Sequence, residues 1–264
     1  MRFAALCLAI VLAAPAHGCG EKSDCALGDR HYRIALPEGA ERPAGAVVYA
    51  HGYRGSAAGV MRNAALRRAL SDRGLALIAL KSLADDWVIP HAPGHADATG
   101  VEEIAYVAAV LDDVAARFGI GEGLMAAGYS SGAMMVWTLA CALPDRFVGF
   151  AAVAGTFWQR PPDTCATPHA SIVHVHGTND PTVPLEGRAI RETSQGDVGA
   201  VMEFYTRFGG FRDAGAAVTG DLDCTQRRNA AGAILDLCLH PGGHAFRVEY
   251  ILFAWERFRA AGRF

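Results

Sequence analysis

The chain is 264 residues long, with 24 Lys and Arg against 27 Asp and Glu, a net charge of −3, and 52% hydrophobic residues. That length holds one large domain or two small ones with a sizeable core, and the near-neutral charge leaves no basic footprint for nucleic acid and no polybasic stretch for a membrane surface. Its 30 Gly and 12 Pro fall below the share found in low-complexity chains, which excludes disorder and collagen and makes the glycines punctuation for turns.

At the N-terminus, Arg2 precedes an apolar run from Phe3 to Ala14, followed by Ala14-Pro15-Ala16, the small-residue pattern of a signal-peptidase site. Residues 1–16 are therefore expected to be a signal peptide, with the mature start at His17. Twelve apolar residues rise only about 18 Å as a helix, against a hydrocarbon core of about 30 Å, so no membrane anchor is expected. Residues 17–264 then read as a secreted or periplasmic domain. A lipidated Cys19 is the minor alternative, weakened because Ala16 stands where a leucine is expected.

With Cys7 removed in the leader, Cys19, Cys25, Cys141, Cys165, Cys224 and Cys238 remain. An even set in an exported protein reads as three disulfides. Order alone does not fix connectivity, but the spacing suits near neighbours: Cys19 with Cys25, Cys141 with Cys165, Cys224 with Cys238.

From residue 31 onward, short β-type runs alternate with helix-type segments, the pattern of a mostly parallel sheet covered by helices on both faces. Strands are expected at residues 31–36, 46–50, 75–80, 123–127, 148–153, 171–175 and 233–239, most of them continuous apolar runs as doubly buried strands should be. The clearest helix spans residues 99–118, with Val101, Ile104, Ala105, Ala108, Leu111, Ala115 and Phe118 on one face, a capping box of Thr99 and Glu102, and Gly119 as its stop. No linker divides the chain, so a single domain is expected.

Gly128-Tyr129-Ser130-Ser131-Gly132 is a G-x-S-x-G pentapeptide between the strand at 123–127 and a helix expected at 133–143. A sharp strand-to-helix turn holds such a serine in a strained backbone conformation, with its oxygen exposed at the sheet's carboxyl edge near the positive end of the following helix. A serine hydroxyl is a weak nucleophile, so Ser130 needs a base to take its proton and an acid to orient that base, in the chain order Ser, acid, His. The loop after 171–175 supplies Asp180, in a turn set by Gly177 and Pro181. Of the later histidines, His244 follows Gly242-Gly243 in a loop at a strand end, whereas His240 reads as a strand-end structural residue. An oxyanion hole needs two backbone N–H groups; the Ser131 amide is one, and the Tyr53 amide, in the loop His51-Gly52-Tyr53-Arg54-Gly55-Ser56 after an early strand, is the other. His174 and His176 share one side of a strand by its two-residue period, but zinc would also need a third ligand and partners behind it, so no metal is expected.

The ordered set AHGYRGSAAGVMRN, GYSSG, HGTNDPTVP and GGH resembles the secreted esterase family of polyhydroxybutyrate depolymerases and feruloyl esterases, within the α/β-hydrolase fold. The resemblance runs from about Asp29 to His244. It implies Ser130 as nucleophile, Asp180 as acid and His244 as base, without a cofactor. It also implies that Trp87, in Asp86-Trp87-Val88-Ile89-Pro90, and Phe157 and Trp158, in Ala154-Gly155-Thr156-Phe157-Trp158, wall a substrate cleft. No binding module or linker for solid polymer is visible, which counts against action on granules. The expectation is a serine carboxylesterase acting on feruloyl or other aromatic esters, or on short polyhydroxyalkanoate or polyester chains. A serine peptidase on the same fold and a non-catalytic carbohydrate- or lipid-binding protein are the rivals.

Overall fold

The computed structural model describes residues 18–39 and 42–264. The signal peptide expected at residues 1–16 lies outside the described residues. Among those described, the strands β1 (Cys25–Leu27), β2 (Arg30–Ala35), β3 (Gly45–Ala50), β4 (Leu75–Ala79), β5 (Leu124–Tyr129), β6 (Gly149–Val153), β7 (Ile172–Gly177), β10 (Arg212–Thr219), β11 (Leu222–Arg228) and β12 (Leu235–His240) form one ten-stranded sheet. A small hairpin adds β8 (Ala189–Ile190) and β9 (Thr193–Ser194). The sheet order is β1-β2-β4-β3-β5-β6-β7-β12-β11-β10. The stretch from β4 to β12 is parallel throughout, and antiparallel strands close both ends.

The parallel strands are fully or nearly buried along their length, as continuous apolar sequences should be. Alternate residues feed two cores. Ala46, Val48 and Ala50 of β3 pack with α3 (Val101–Phe118), α4 (Ser131–Ala142) and α5 (Val198–Phe208). Val47 and Tyr49 pack with α1 (Ala57–Met61), α2 (Ala64–Ser71) and α6 (Val248–Ala260) on the opposite face. The three-layer arrangement read from the sequence is the one observed.

Helix α3 corrects the sequence reading in two ways. It begins at Val101 with Gly100, at φ 75°, as its cap in place of Thr99, whose Oγ1 reaches only the Val101 amide, at 3.5 Å. Its buried stripe is Glu103, Tyr106, Val107, Val110, Leu111 and Val114, while Val101 is 63% exposed. The cause is Glu103: its carboxylate pairs with Arg30 at 2.8 Å and accepts from the Leu83 and Val88 amides, which turns the acidic position inward.

All three disulfides join the expected partners. Cys224 and Cys238 face each other directly in the β11–β12 register. Among the described residues, no helix is long and apolar enough to cross a membrane.

Candidate active site

Strands β3 and β5 are neighbours, but the chain leaves β3 for β4 on the other side, so a crevice opens where the connections part. Ser130 sits there, between β5 and α4, at φ 59° and ψ −125°. Its amide donates to Val153 O at 2.9 Å. The two glycines of the pentapeptide are dictated by contact: a Cβ on Gly128 would lie 2.3 Å from Gly132 O, and one on Gly132 would lie 2.0 Å from Ala50 O. No larger residue allows strand and helix to approach this closely, and the approach is what forces the strained turn.

Two loops then bring their side chains to Ser130. Asp180, after β7, is buried, and its Oδ1 accepts from the Thr182 and Val183 amides at 2.8 and 2.9 Å. Its Oδ2 accepts from His244 Nδ1 at 2.7 Å. Because a carboxylate only accepts, the imidazole proton sits on Nδ1 and the Nε2 lone pair is left for the hydroxyl. Ser130 Oγ donates to that Nε2 at 3.0 Å. Asp180 thus makes the turn and also orients the histidine.

Tyr129, the unassigned position beside Ser130, was not singled out by motif reading. Its ring lies 4.7 Å from the His244 ring, and its hydroxyl donates to His244 O at 3.1 Å. Burial, and then the Asp180 charge, push its pKa up to about 12, so the hydroxyl stays protonated as a donor.

The loop after β3 is held from behind. His51 is buried; its Nδ1 donates to Gly52 O at 2.8 Å, and its Nε2 accepts from the Ser82 amide at 3.2 Å. Burial lowers its pKa, which keeps the ring neutral for this pattern. The indole N–H of Trp87 donates to His51 O at 2.8 Å. Trp87 has no exposed surface, so the expectation that it walls the cleft is corrected: it buttresses the loop instead. Arg54 N donates to Asp85 O at 2.8 Å. The Tyr53 and Ser131 amides have no acceptor among the described residues, so both remain available as donors beside Ser130.

A cleft of about 320 Å³ opens over Ser130 and Ser131, with Tyr53, Asp86, Met134 and Trp158 in its walls. Burial pushes the Asp86 carboxyl above its ordinary range. Trp158 lines this cleft. Phe157 does not: it packs on Trp137 with centroids 5.8 Å apart and faces a neighbouring apolar pocket that shares Trp158 as a wall. The tip of the β8–β9 hairpin reaches across to the loop after Ile89. There Glu192 Oε1 accepts from the Gly94 amide at 2.6 Å, and Thr193 Oγ1 donates to His91 O at 2.7 Å.

The β7 histidines form a buried chain. Trp137 Nε1 donates to His174 Nδ1 at 3.2 Å, His174 Nε2 donates to His176 Nδ1 at 2.9 Å, and His176 Nε2 donates to Val183 O at 2.8 Å, 3.5 Å from Asp180 Oδ2. Every ring nitrogen is used, which leaves none for a metal, and the chain ends on the loop that carries Asp180. His240 is buried, stacks on Tyr250 and accepts from the Gly242 amide through Nδ1.

The topology has counterparts among known proteins. No family model matches the chain. It is 27% identical over 234 residues to NocK of Nocardia uniformis subsp. tsuyamanensis, a proposed esterase, covering 80% of this chain and 67% of NocK. Its fold is similar to an acetyl xylan esterase from Aspergillus awamori, with a TM-score of 0.63 and 14% identity over 86% of this chain and 94% of that one. A Bacillus cereus carboxylesterase gives a TM-score of 0.55 and 15% identity over 89% and 95%. The chain has the α/β-hydrolase fold. Within this hydrolase fold, the serine after β5, the acid after β7 and the histidine after β12 occupy one carboxyl edge of the sheet.

Proposed function

We propose that this α/β-hydrolase is an exported serine carboxylesterase. The observation that carries the proposal is the continuous row from Asp180 Oδ2 through His244 to Ser130 Oγ, at 2.7 and 3.0 Å. Ser130 Oγ attacks the ester carbonyl carbon as its proton passes to His244 Nε2. The carbonyl oxygen becomes an oxyanion held by the Tyr53 and Ser131 amides, each worth about 3 kcal/mol to the transition state. Collapse expels the alcohol, which takes the proton from His244 and leaves Ser130 acylated. Water then attacks the acyl carbon, giving its proton to the same nitrogen, and the carboxylic acid is released. Asp180 remains ionised throughout and holds the imidazolium. Each proton and charge of the cycle is carried by the chain's own residues.

Esterase relatives support an ester substrate: NocK is a proposed esterase, and two of the similar structures are an acetyl xylan esterase and a carboxylesterase. The family resemblance favours feruloyl or other aromatic esters and short hydroxyalkanoate polyesters, and the indole of Trp158 offers a flat apolar wall for such groups. Three disulfides support an oxidising compartment and hence export. The deciding experiment measures 4-nitrophenyl ester hydrolysis and fluorophosphonate labelling in the wild type and in Ser130→Ala. The variant is expected to lose the label and at least about a thousandfold in kcat. Retained hydrolysis or labelling overturns the assignment. A panel of methyl ferulate, short 4-nitrophenyl esters and hydroxybutyrate oligomers then ranks the substrate classes.

A further inference from the structure

We propose that the cleft beside Ser130 selects esters that carry a carboxylate, held by the guanidinium groups of Arg188 and Arg191. The inference deepens the esterase reading and rests on it. Both arginines line the same cleft as Ser130. The cleft wall thus holds two cations against one carboxyl, Asp86, on a chain whose net charge is −3.

Arg188 is oriented rather than free. Its Nε donates to Thr182 O at 2.9 Å and to Gln195 Oε1 at 3.2 Å, and Gln195 is itself buried. Thr182 belongs to the turn that binds Asp180 Oδ1, so the guanidinium is fixed relative to the reacting row. Its two terminal nitrogens have no carboxylate or carbonyl partner among the described residues. A planar fork anchored at Nε with its outer edge open is the shape that receives a carboxylate through two parallel bonds.

Arg191 sits at the hairpin tip at φ 51°, where a glycine or asparagine would be at ease. The neighbouring Glu192, the nearest carboxylate in sequence, is drawn off to the Gly94 amide. Met134, Val183 and Ile190 line the same cleft as the arginines and Ser130, which suits an apolar ester body ending in an anion. Asp86, whose Oδ1 accepts from the Trp87 amide at 2.8 Å, also lines the cleft, so the two arginines are the groups of this wall that attract an anion.

The test reads binding apart from turnover. The full chain carrying Ser130→Ala is titrated by calorimetry with two pairs of esters of matched size. In the first pair, monomethyl glutarate against methyl 5-methylhexanoate, the charge lies on the acyl side. In the second, butyryl 3-hydroxybutyrate against its methyl ester, it lies on the alcohol side. At least tenfold tighter binding of the charged member in either pair is expected, and the pair that shows it tells which side faces the arginines. Adding Arg188→Gln or Arg191→Gln should reduce that ratio, and 0.5 M NaCl should weaken it. Arg191→Gln, on an exposed tip, guards against a folding failure of the other variant. Equal binding within both pairs, or a preference that survives both substitutions together, overturns the proposal. Anion binding in this background by a protein whose wild type neither hydrolyses esters nor takes a fluorophosphonate would instead remove the esterase reading and leave the anion site standing.

Discussion

In the proposed mechanism Tyr129 positions His244 without any reactive atom of its own. It covers one face of the His244 ring and ties the His244 carbonyl through its hydroxyl. Tyr129→Phe keeps the ring and removes one hydrogen bond of about 1 kcal/mol. The expected result is a roughly fivefold fall in kcat/KM that exceeds any change in unfolding midpoint, checked by measuring both on the same preparation. An unchanged kcat/KM would show that the bond does not position the imidazole. Legibility at this scale follows chemistry. The row proposed as the triad, Ser130, Asp180 and His244, could be picked out in sequence because few residue types serve each role and their chain order is constrained. Tyr129 and His51 could not, since both act through backbone carbonyls and amides brought close only by folding. Trp87 was misread for the converse reason: an aromatic in a loop has the same letter whether it meets a ligand or, as here, a buried carbonyl.

The histidine-bearing strand β7 makes the whole element sensitive to acid. Burial holds His174 far below its ordinary pKa and lowers those of His176 and His51. In the unfolded chain these rings titrate near ~6.5. As the pH falls below that value, the unfolded state takes up protons that the folded state refuses, so stability drops by up to about 1.4 kcal/mol per pH unit for each ring. The urea midpoint is expected to be level above about pH 7.5 and to decline steadily toward pH 5. A level profile across that interval would show that the folded rings take up protons as readily as the unfolded ones. Elements were legible where burial was two-sided. The parallel strands announced themselves as apolar runs, whereas β10 is almost wholly exposed and β11 buries only Leu222 and Cys224, so no hydrophobic pattern marked them. The face of α3 was misjudged because alanines fit either side of a helix, and the buried Glu103 that sets the rotation looks like a solvent residue in sequence.

Across the whole molecule, one of the three disulfides braces what the sheet does not. Cys141–Cys165 links the last turn of α4, whose first turn carries Ser131, to the segment that follows Trp158. Replacing both cysteines with serine should cost about 3 kcal/mol in the chain-entropy description of this loop. A chemical denaturation series on the double variant checks this, and a loss below about 1 kcal/mol would show that the fold already confines the loop. The architecture was legible at this scale because alternation of apolar runs and helical segments admits few topologies. The cleft was not, because it is assembled from segments that meet nowhere in the linear order.

The two hydrogen bonds by which Glu192 and Thr193 reach the opposite bank give the molecule a mesh. Together they contribute about 2 kcal/mol toward holding the hairpin tip against that bank. On the proposed esterase reading the tie narrows the way in, and removing either bond is expected to raise the turnover of bulky esters before that of slender ones.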